Sequence, residues 1–417
     1  MFVVLQRMLA RLVERGDLEV VGPDGSVHRF GDASGTKVKV RIASQAAAAK
    51  IVLNPDLYVG ECYMDGDLVV ERGSVYDFLT LILDNLANHR GPATLSLVTG
   101  LRRFMRRLHQ YNPVTRARRN VAHHYDLSRE LYETFLDSDR QYSCAYFERP
   151  DASLEVAQLA KKRHLAAKLM IEPGMRVLDI GSGWGGLGLY LAEFCQAEVV
   201  GVTLSTEQHA FSRERAGRAG IKSVDFRLMD YRELDGRFDR IVSVGMFEHV
   251  GIGFYPAFFA KVNALLADDG VALLHSISRS TGPAATGSWI AKYIFPGGYV
   301  PALSEVVPVI ERSGLYITDI EILRLHYAET LKEWRRRFTD RRDQVTALYD
   351  ERFFRMWDYY LASCETAFRQ LGMNNFQIQM AHHQQALPLT RDYIGEEELR
   401  LRGLDSRRPR IKSIPAE

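Results

Sequence analysis

"MRVLDIGSGWGGLGLYLAE", residues 175 to 193, decides the fold. Val177, Leu178 and Ile180 make a short apolar run suited to a buried strand. Gly181, Gly183, Gly185 and Gly186 follow, a turn whose bare backbone admits a ligand closely, and a helix is expected from about Trp184. Strand, glycine turn and helix in this order open a doubly wound α/β sheet. The spacing also satisfies GxGxxG, so a dinucleotide is one reading. Such folds place an acid after the next strand to hold a ribose, whereas "AEVVGVTLS" ends at Thr203 without one.

The rhythm continues downstream. In "VTLSTEQ", Ser205 is placed to cap a helix, with Gln208 three residues on as the second half of a capping box. "VDFRLMDYREL" reads as a strand ending near Asp230, "FDRIVSVGMFEHVG" as a fourth strand with Glu248 in its exit loop, and "GVALLHSIS" as a fifth carrying His275. Asp179, Thr203, Asp230, Glu248 and His275 thus fall at the carboxyl ends of strands, where open sheets gather their sites. Any one of them alone is equally well a turn former or a cap. Asp179 directly before the glycines gives D-x-G-x-G, which resembles motif I of the class I S-adenosylmethionine (SAM)-dependent methyltransferases.

Composition narrows the rest. With 417 residues, 46% hydrophobic and 25% charged, the chain has room for two or three globular domains and is not disordered. A formal net charge of +2 excludes a polycation built for nucleic acid. Cys62, Cys144, Cys195 and Cys364 form no CxxC pair, so free thiols, a reducing compartment and no structural metal are expected. The paired histidines 123/124 and 382/383 have no evident third ligand. The first residues, "MFVVLQRMLARLVERGDLEV", carry Arg7, Arg11, Glu14 and Arg15 within the apolar pattern, which marks an amphipathic helix and not an export signal. No window approaches the roughly 20 apolar residues of a membrane span.

Residues 1–92 read as a separate small α/β domain, with strands around "GPDGS" and in "KVKVRI" and helices through "SQAAAAKIVL" and from Ser74. Residues 93–120 are a linker. In its "LRRFMRRLHQ", Leu101, Phe104, Met105 and Leu108 form one helical stripe, and Arg102, Arg103, Arg106 and Arg107 the other face. A basic amphipathic helix suits an anionic lipid surface; packing of the stripe on a neighbouring domain is an equal alternative. Residues 121–417 hold the alternating α/β pattern.

From "NVAHHYDLSRELYETFLDSDRQYSCAYFERP" through "VTLSTEQ", "FEHVG", "LLHSI" and "HYAETLKEW", the chain resembles the cyclopropane-fatty-acyl-phospholipid synthase family and its mycolic-acid-modifying relatives. The resemblance runs from about 115 to 385 and extends weakly into "GECYMDGDL". It implies a Rossmann-like class I SAM-dependent methyltransferase fold behind a smaller, lipid-associated N-terminal domain. The activity implied is methylene transfer from SAM to a cis double bond of an unsaturated phospholipid, with bicarbonate as general base. Carried over position by position, the SAM contacts fall on Tyr125, Tyr142, Ser143, Asp179, Gly181, Gly183, Thr203, Gln208 and Asp230. The bicarbonate pocket falls on Cys144, Glu248, His275, Ile277 and Tyr327. A homodimer in the cytoplasm, peripheral to the inner face of the membrane, is likewise implied, with no nucleic acid and no metal.

The chemistry demands a dry chamber, because an alkene is a weak nucleophile and the cation it becomes would be trapped by water. Tyr142, Tyr146, Phe147, Phe254, Tyr255, Phe258 and Phe259 are candidate walls, each of them also an ordinary core aromatic, and "WIAKYIFPGGYV" at 289 to 300 is a candidate lid. Cys144 has no histidine or lysine beside it in sequence and is expected to serve the anion pocket through its main chain, not as a nucleophile. Two other functions fit the pattern less well: methylation of a soluble amine, and a non-catalytic lipid module.

Overall fold

The computed structural model describes residues 1–88 and 128–406. Tyr125 and the basic stretch at 101–109 lie outside them. The chain divides into two compact units.

The first unit gathers residues 1–88 with Ala284–Pro296 and Leu331–Met373. Its sheet runs β2-β1-β3-β4, from β1 (Asp17–Val21), β2 (Val27–Phe30), β3 (Lys37–Ile42) and β4 (Leu68–Arg72). In β3 the alternation is clean: Val38, Val40 and Ile42 are buried, while Lys39 and Arg41 turn outward onto Glu19 and Glu71. Ser44 caps the next helix, its Oγ accepting from Ala47 N at 3.0 Å, and Pro55 starts the one after.

Residues 284–296 and 331–373, which the pattern assigned to the methyltransferase segment, complete this unit's core. Gly60 leaves no space for a methyl group, since a Cβ there would stand 2.5 Å from the Trp289 ring. Tyr63 donates to Asp358 at 2.8 Å, and the Trp289 indole points its N–H at Met64 Sδ, 3.3 Å away. Trp289 is therefore core in this unit, where the sequence suggested a lid.

The second unit holds a seven-stranded sheet in the order β10-β11-β9-β8-β5-β6-β7. Its strands are β5 (Arg176–Ile180), β6 (Glu198–Thr203), β7 (Val224–Leu228), β8 (Phe238–Val244), β9 (Leu266–Arg279), β10 (Tyr316–Leu323) and β11 (Met373–Ala381). β5 pairs in parallel with both β6 and β8, so the winding reverses beside it and opens a crevice beyond the carboxyl ends. β10 and β11 pair antiparallel at one edge. On one face Phe247, Tyr255, Phe258 and Phe259 join Ile180, Ile241 and Phe376 in a continuous core. Tyr255, Phe258 and Phe259 are thus packing residues, not chamber walls. On the other face Leu165, Leu169, Leu187, Leu191 and Leu401 make a second core.

The helix Leu154–Leu169 defies simple amphipathic reading: Lys161, Lys162, Arg163, His164 and Lys168 are all buried. Acids from other elements meet these charges. Lys162 pairs with Asp139 at 2.6 Å, Arg163 grips Asp405 through two nitrogens, and Lys168 pairs with Glu321.

Candidate active site

The glycine turn after β5 is tied to β6, with Gly181 N and Ser182 N both donating to Val202 O at 2.9 and 3.0 Å. Gly181 has φ +87°, and a Cβ there would stand 2.8 Å from that of Met246. Only glycine satisfies both conditions. The turn floors a cavity that Tyr142, Ser143, Asp179, Gly183, Thr203, Gln208 and Asp230 also line. Every expected SAM contact among the described residues therefore borders one space.

Several polar atoms there lack protein partners. Asp179 Oδ2, Ser182 Oγ and Trp184 Nε1 are buried and unbonded within the chain. Burial pushes the Asp179 carboxyl up to about 7, against the pull of Lys161. An acceptor of that kind suits the ammonium of an amino acid, and the glycine turn suits a ligand lying against the main chain. The residues present fit SAM. Thr203 Oγ1 donates to Gln208 Oε1 at 3.1 Å, which leaves the Gln208 amide nitrogen for a ribose-like hydroxyl. Ser205 does cap its helix, accepting from Gln208 N. The second half of the expected capping box is absent because Thr203 has taken the Gln208 side chain. Asp230 is held bidentate by Arg232, at 2.8 and 2.7 Å.

Lys161 was not anticipated. Its ammonium enters the cavity wall from the helix Leu154–Leu169, donating to Gln141 Oε1 at 2.6 Å and Ser143 Oγ at 2.7 Å. Gln158, one turn earlier, donates to Ser143 O at 3.0 Å. These bonds hold the segment that carries Tyr142, whose ring stands edge-on to Tyr132 at 5.5 Å. Burial pulls Lys161 below its ordinary range. The available signal was a buried-length helix holding five cationic or titratable side chains, opposite the acids of "LDSDRQ".

The expected anion pocket resolves into smaller groupings. Glu248 sits in the single turn Phe247–His249 after β8, its Oε1 accepting from Ile277 N at 2.6 Å. Its Oε2 is buried without a protein partner, and desolvation pushes the carboxyl up to about 7. His249 in the same turn and Val250 directly after it border the cofactor cavity. Cys144 is buried, its thiol raised by desolvation, and the next residue anchors it: Ala145 N donates to Thr330 Oγ1 at 3.0 Å. Thr330 lies one turn along the helix His326–Asp340, which also carries the buried Tyr327.

His275 turns toward β11. Its Nδ1 faces Gln377 Nε2 at 3.1 Å and its Nε2 faces Asn375 Nδ2 at 3.4 Å. A neutral imidazole has one donor and one acceptor, so one of these amides must present its oxygen instead. Burial drives this imidazole down to about 3. It is therefore a neutral, oriented group. Among the described residues no cluster of three or more His, Cys, Asp or Glu could hold a metal, and His382 is spent on Asn263 and Ala267 O.

Comparison with known proteins completes the picture. The family model described as mycolic acid cyclopropane synthetase matches residues 113–378, and one described as a domain of unknown function matches 4–90. The cyclopropane-fatty-acyl-phospholipid synthase of Escherichia coli strain K12 is 37% identical over 372 residues, 86% of this chain and 94% of that protein. The tuberculostearic acid methyltransferase UfaA1 of Mycobacterium tuberculosis is 35% identical, covering 90% of each chain. Among solved structures, mycolic acid cyclopropane synthase CmaA1 complexed with SAH and CTAB aligns with a TM-score of 0.60 at 35% identity, over 64% of this chain and 98% of that one. A coclaurine N-methyltransferase aligns with a TM-score of 0.63 over 81% of this chain and 100% of that one, but at 20% identity it shares only the fold. The chain belongs to the mycolic acid cyclopropane synthetase family and is a SAM-dependent methyltransferase of the cyclopropane-fatty-acyl-phospholipid synthase type.

Proposed function

We propose that the protein transfers a methylene group from SAM to the cis double bond of an unsaturated phospholipid acyl chain, forming a cyclopropane ring, with bound bicarbonate as general base. The observation that carries this reading is Glu248: a buried carboxylate with one oxygen on Ile277 N and the other unpartnered, in the turn that borders the cofactor cavity. When bound, SAM would supply an electrophilic methyl on sulfonium and bicarbonate a base for the proton lost on ring closure, with Glu248, Tyr327 and the main chain near Cys144 placed to hold the anion.

The chain's part is to hold and to exclude. Asp179, Thr203 and Gln208 orient the cofactor, and the glycine turn lets it lie against the backbone. The free oxygen of Glu248 accepts the bicarbonate hydroxyl, which raises the basicity of the anion. Main-chain groups near Cys144 and the Tyr327 hydroxyl supply donors, without which an anion beside a buried carboxylate would be expelled. His275, neutral and fixed by β11, contributes a dipole and no charge.

The substrate reading rests on the relatives: those named for phospholipid or fatty-acid substrates span most of this chain. The workplace we infer is the cytoplasmic face of a membrane; no described helix is long and apolar enough to cross one. The tuberculostearic acid relative, matched over 90% of both chains, supports a second product from the same first step, a methyl or methylene branch. Expression in a host lacking its own ring-forming enzyme, followed by gas chromatography and mass spectrometry of the fatty acids, tests both. Ring and methylene-branched acids share a mass and separate by retention; a methyl-branched acid is heavier by two hydrogens. Unaltered fatty acids from a host making folded protein would overturn the proposal.

A further inference from the structure

A second cluster of titratable groups lies beside the site without belonging to it. His164 is buried in the helix Leu154–Leu169 with both ring nitrogens on carboxylates, Nδ1 at 2.5 Å from Glu398 Oε1 and Nε2 at 2.7 Å from Glu321 Oε2. Two acceptors on one imidazole require two N–H groups, so the ring is a cation. The Tyr146 ring lies flat on it, centroids 4.2 Å apart and planes 9° apart. The other face of Tyr146 lies on His326, at 4.9 Å and 10°. His326 Nδ1 accepts from Phe147 N at 3.0 Å, and Tyr327 is the next residue.

We propose that His164 is a positioning residue: clamped as a cation between Glu321 and Glu398, it fixes through Tyr146 and His326 both the Cys144 segment and the helix start that carries Tyr327. This rests on the reading of the site given above. The stack joins the two chain segments on which the anion pocket depends, and Ala145 N on Thr330 Oγ1 repeats the join one step away. A cation over a tyrosine face is attractive in itself, and more so in a desolvated setting.

The charges around the clamp act in both directions. Glu321 faces it from β10, where Asp319 is paired with Lys168, Glu398 faces it from the helix Asp392–Asp405, and Glu148 lies two residues beyond Tyr146, paired with Arg163 and Arg402. Lys168 opposes it from one turn along its own helix, and Arg391 is spent on Asp319. Despite burial, the two carboxylates raise the His164 pKa above its ordinary 6.5. A raised imidazole pKa stabilises the clamp below the ordinary value and loses it as pH rises through the folded value. His326 is shifted the other way, by burial, and stays neutral.

The test compares pH profiles of methyl transfer from SAM to vesicles of unsaturated phosphatidylglycerol for wild type, Glu398→Gln and His164→Phe. In Glu398→Gln the alkaline fall in kcat is expected to begin about 1 pH unit lower, as one opposing charge is removed, with KM for SAM unchanged. His164→Phe keeps the stacked ring and loses both ion pairs; its kcat is expected about tenfold lower in a protein with wild-type circular dichroism. Superimposable profiles for Glu398→Gln and wild type, or losses that only track the folded fraction, would overturn the proposal. Should Glu398→Gln fold poorly, the titration of the labelled His164 ring by NMR in wild type decides: a pKa at or below 6.5 refutes the clamp. Transfer by wild type tests the site itself; only differences between variants bear on His164.

Discussion

Glu248 sets two demands against each other. Its unpartnered buried oxygen is what the hydroxyl of the proposed bicarbonate would need, and burial makes the same carboxylate costly to ionise. A carboxyl raised from 4.5 to about 7 on folding binds its proton more tightly in the native chain, so stability declines as pH rises between those values. Glu248→Gln is therefore expected to lower transfer by about a hundredfold and yet to melt at or above wild type at pH 8. The gain should be at most about 3–4 kcal/mol and shrink to below about 1 kcal/mol at pH 5; scanning calorimetry at both pH values checks it. Cys144→Ser should behave differently. The thiol is raised by burial and points at Ala145 O at 3.3 Å, so no thiolate is available to lose, and the serine variant should keep most of its transfer in a radiolabelled-SAM assay.

At the scale of elements, the glycine turn between β5 and its helix is the most constrained piece of backbone at the site. Gly181→Ala forces a methyl group against Met246 in a left-handed conformation; SAM binding by calorimetry should weaken at least tenfold, and the melting temperature should drop by the cost of about 1–3 kcal/mol of strain. This element was fully legible in the sequence, because glycines between an apolar run and a helix have few other uses. So were β6, the Ser205 cap and the Glu248 turn. The helix Leu154–Leu169 was not. Its charges resemble a solvated face, and of the acids that meet them only Asp139 lies nearby in sequence; Glu321, Glu398 and Asp405 come from far along the chain. The ring orientation of His275 was hidden for the same reason: its partners, Asn375 and Gln377, lie on the strand at the far end of the chain. Local pattern reveals a strand end; it does not reveal which distant side chain will claim the residue standing there.

For the molecule as a whole, the division into units matters more than the boundary at residue 92 that composition suggests. The first unit takes Leu331–Met373 into its core, where Tyr359 packs against Trp289 at 4.7 Å and Asp358 receives Tyr63. A fragment of residues 1–92 alone should therefore lack a cooperative thermal transition by circular dichroism, since it exposes the surface around Gly60 and Tyr63 that those later segments cover. On the ribosome the same arrangement reverses the usual order of completion. The segment made first must wait, with its apolar helices partly bare, until more than two hundred further residues have emerged. Its partner unit also closes late, since β11 follows at the end. Such a chain is a natural client for a nascent-chain chaperone, and slowing translation should bring its yield little benefit.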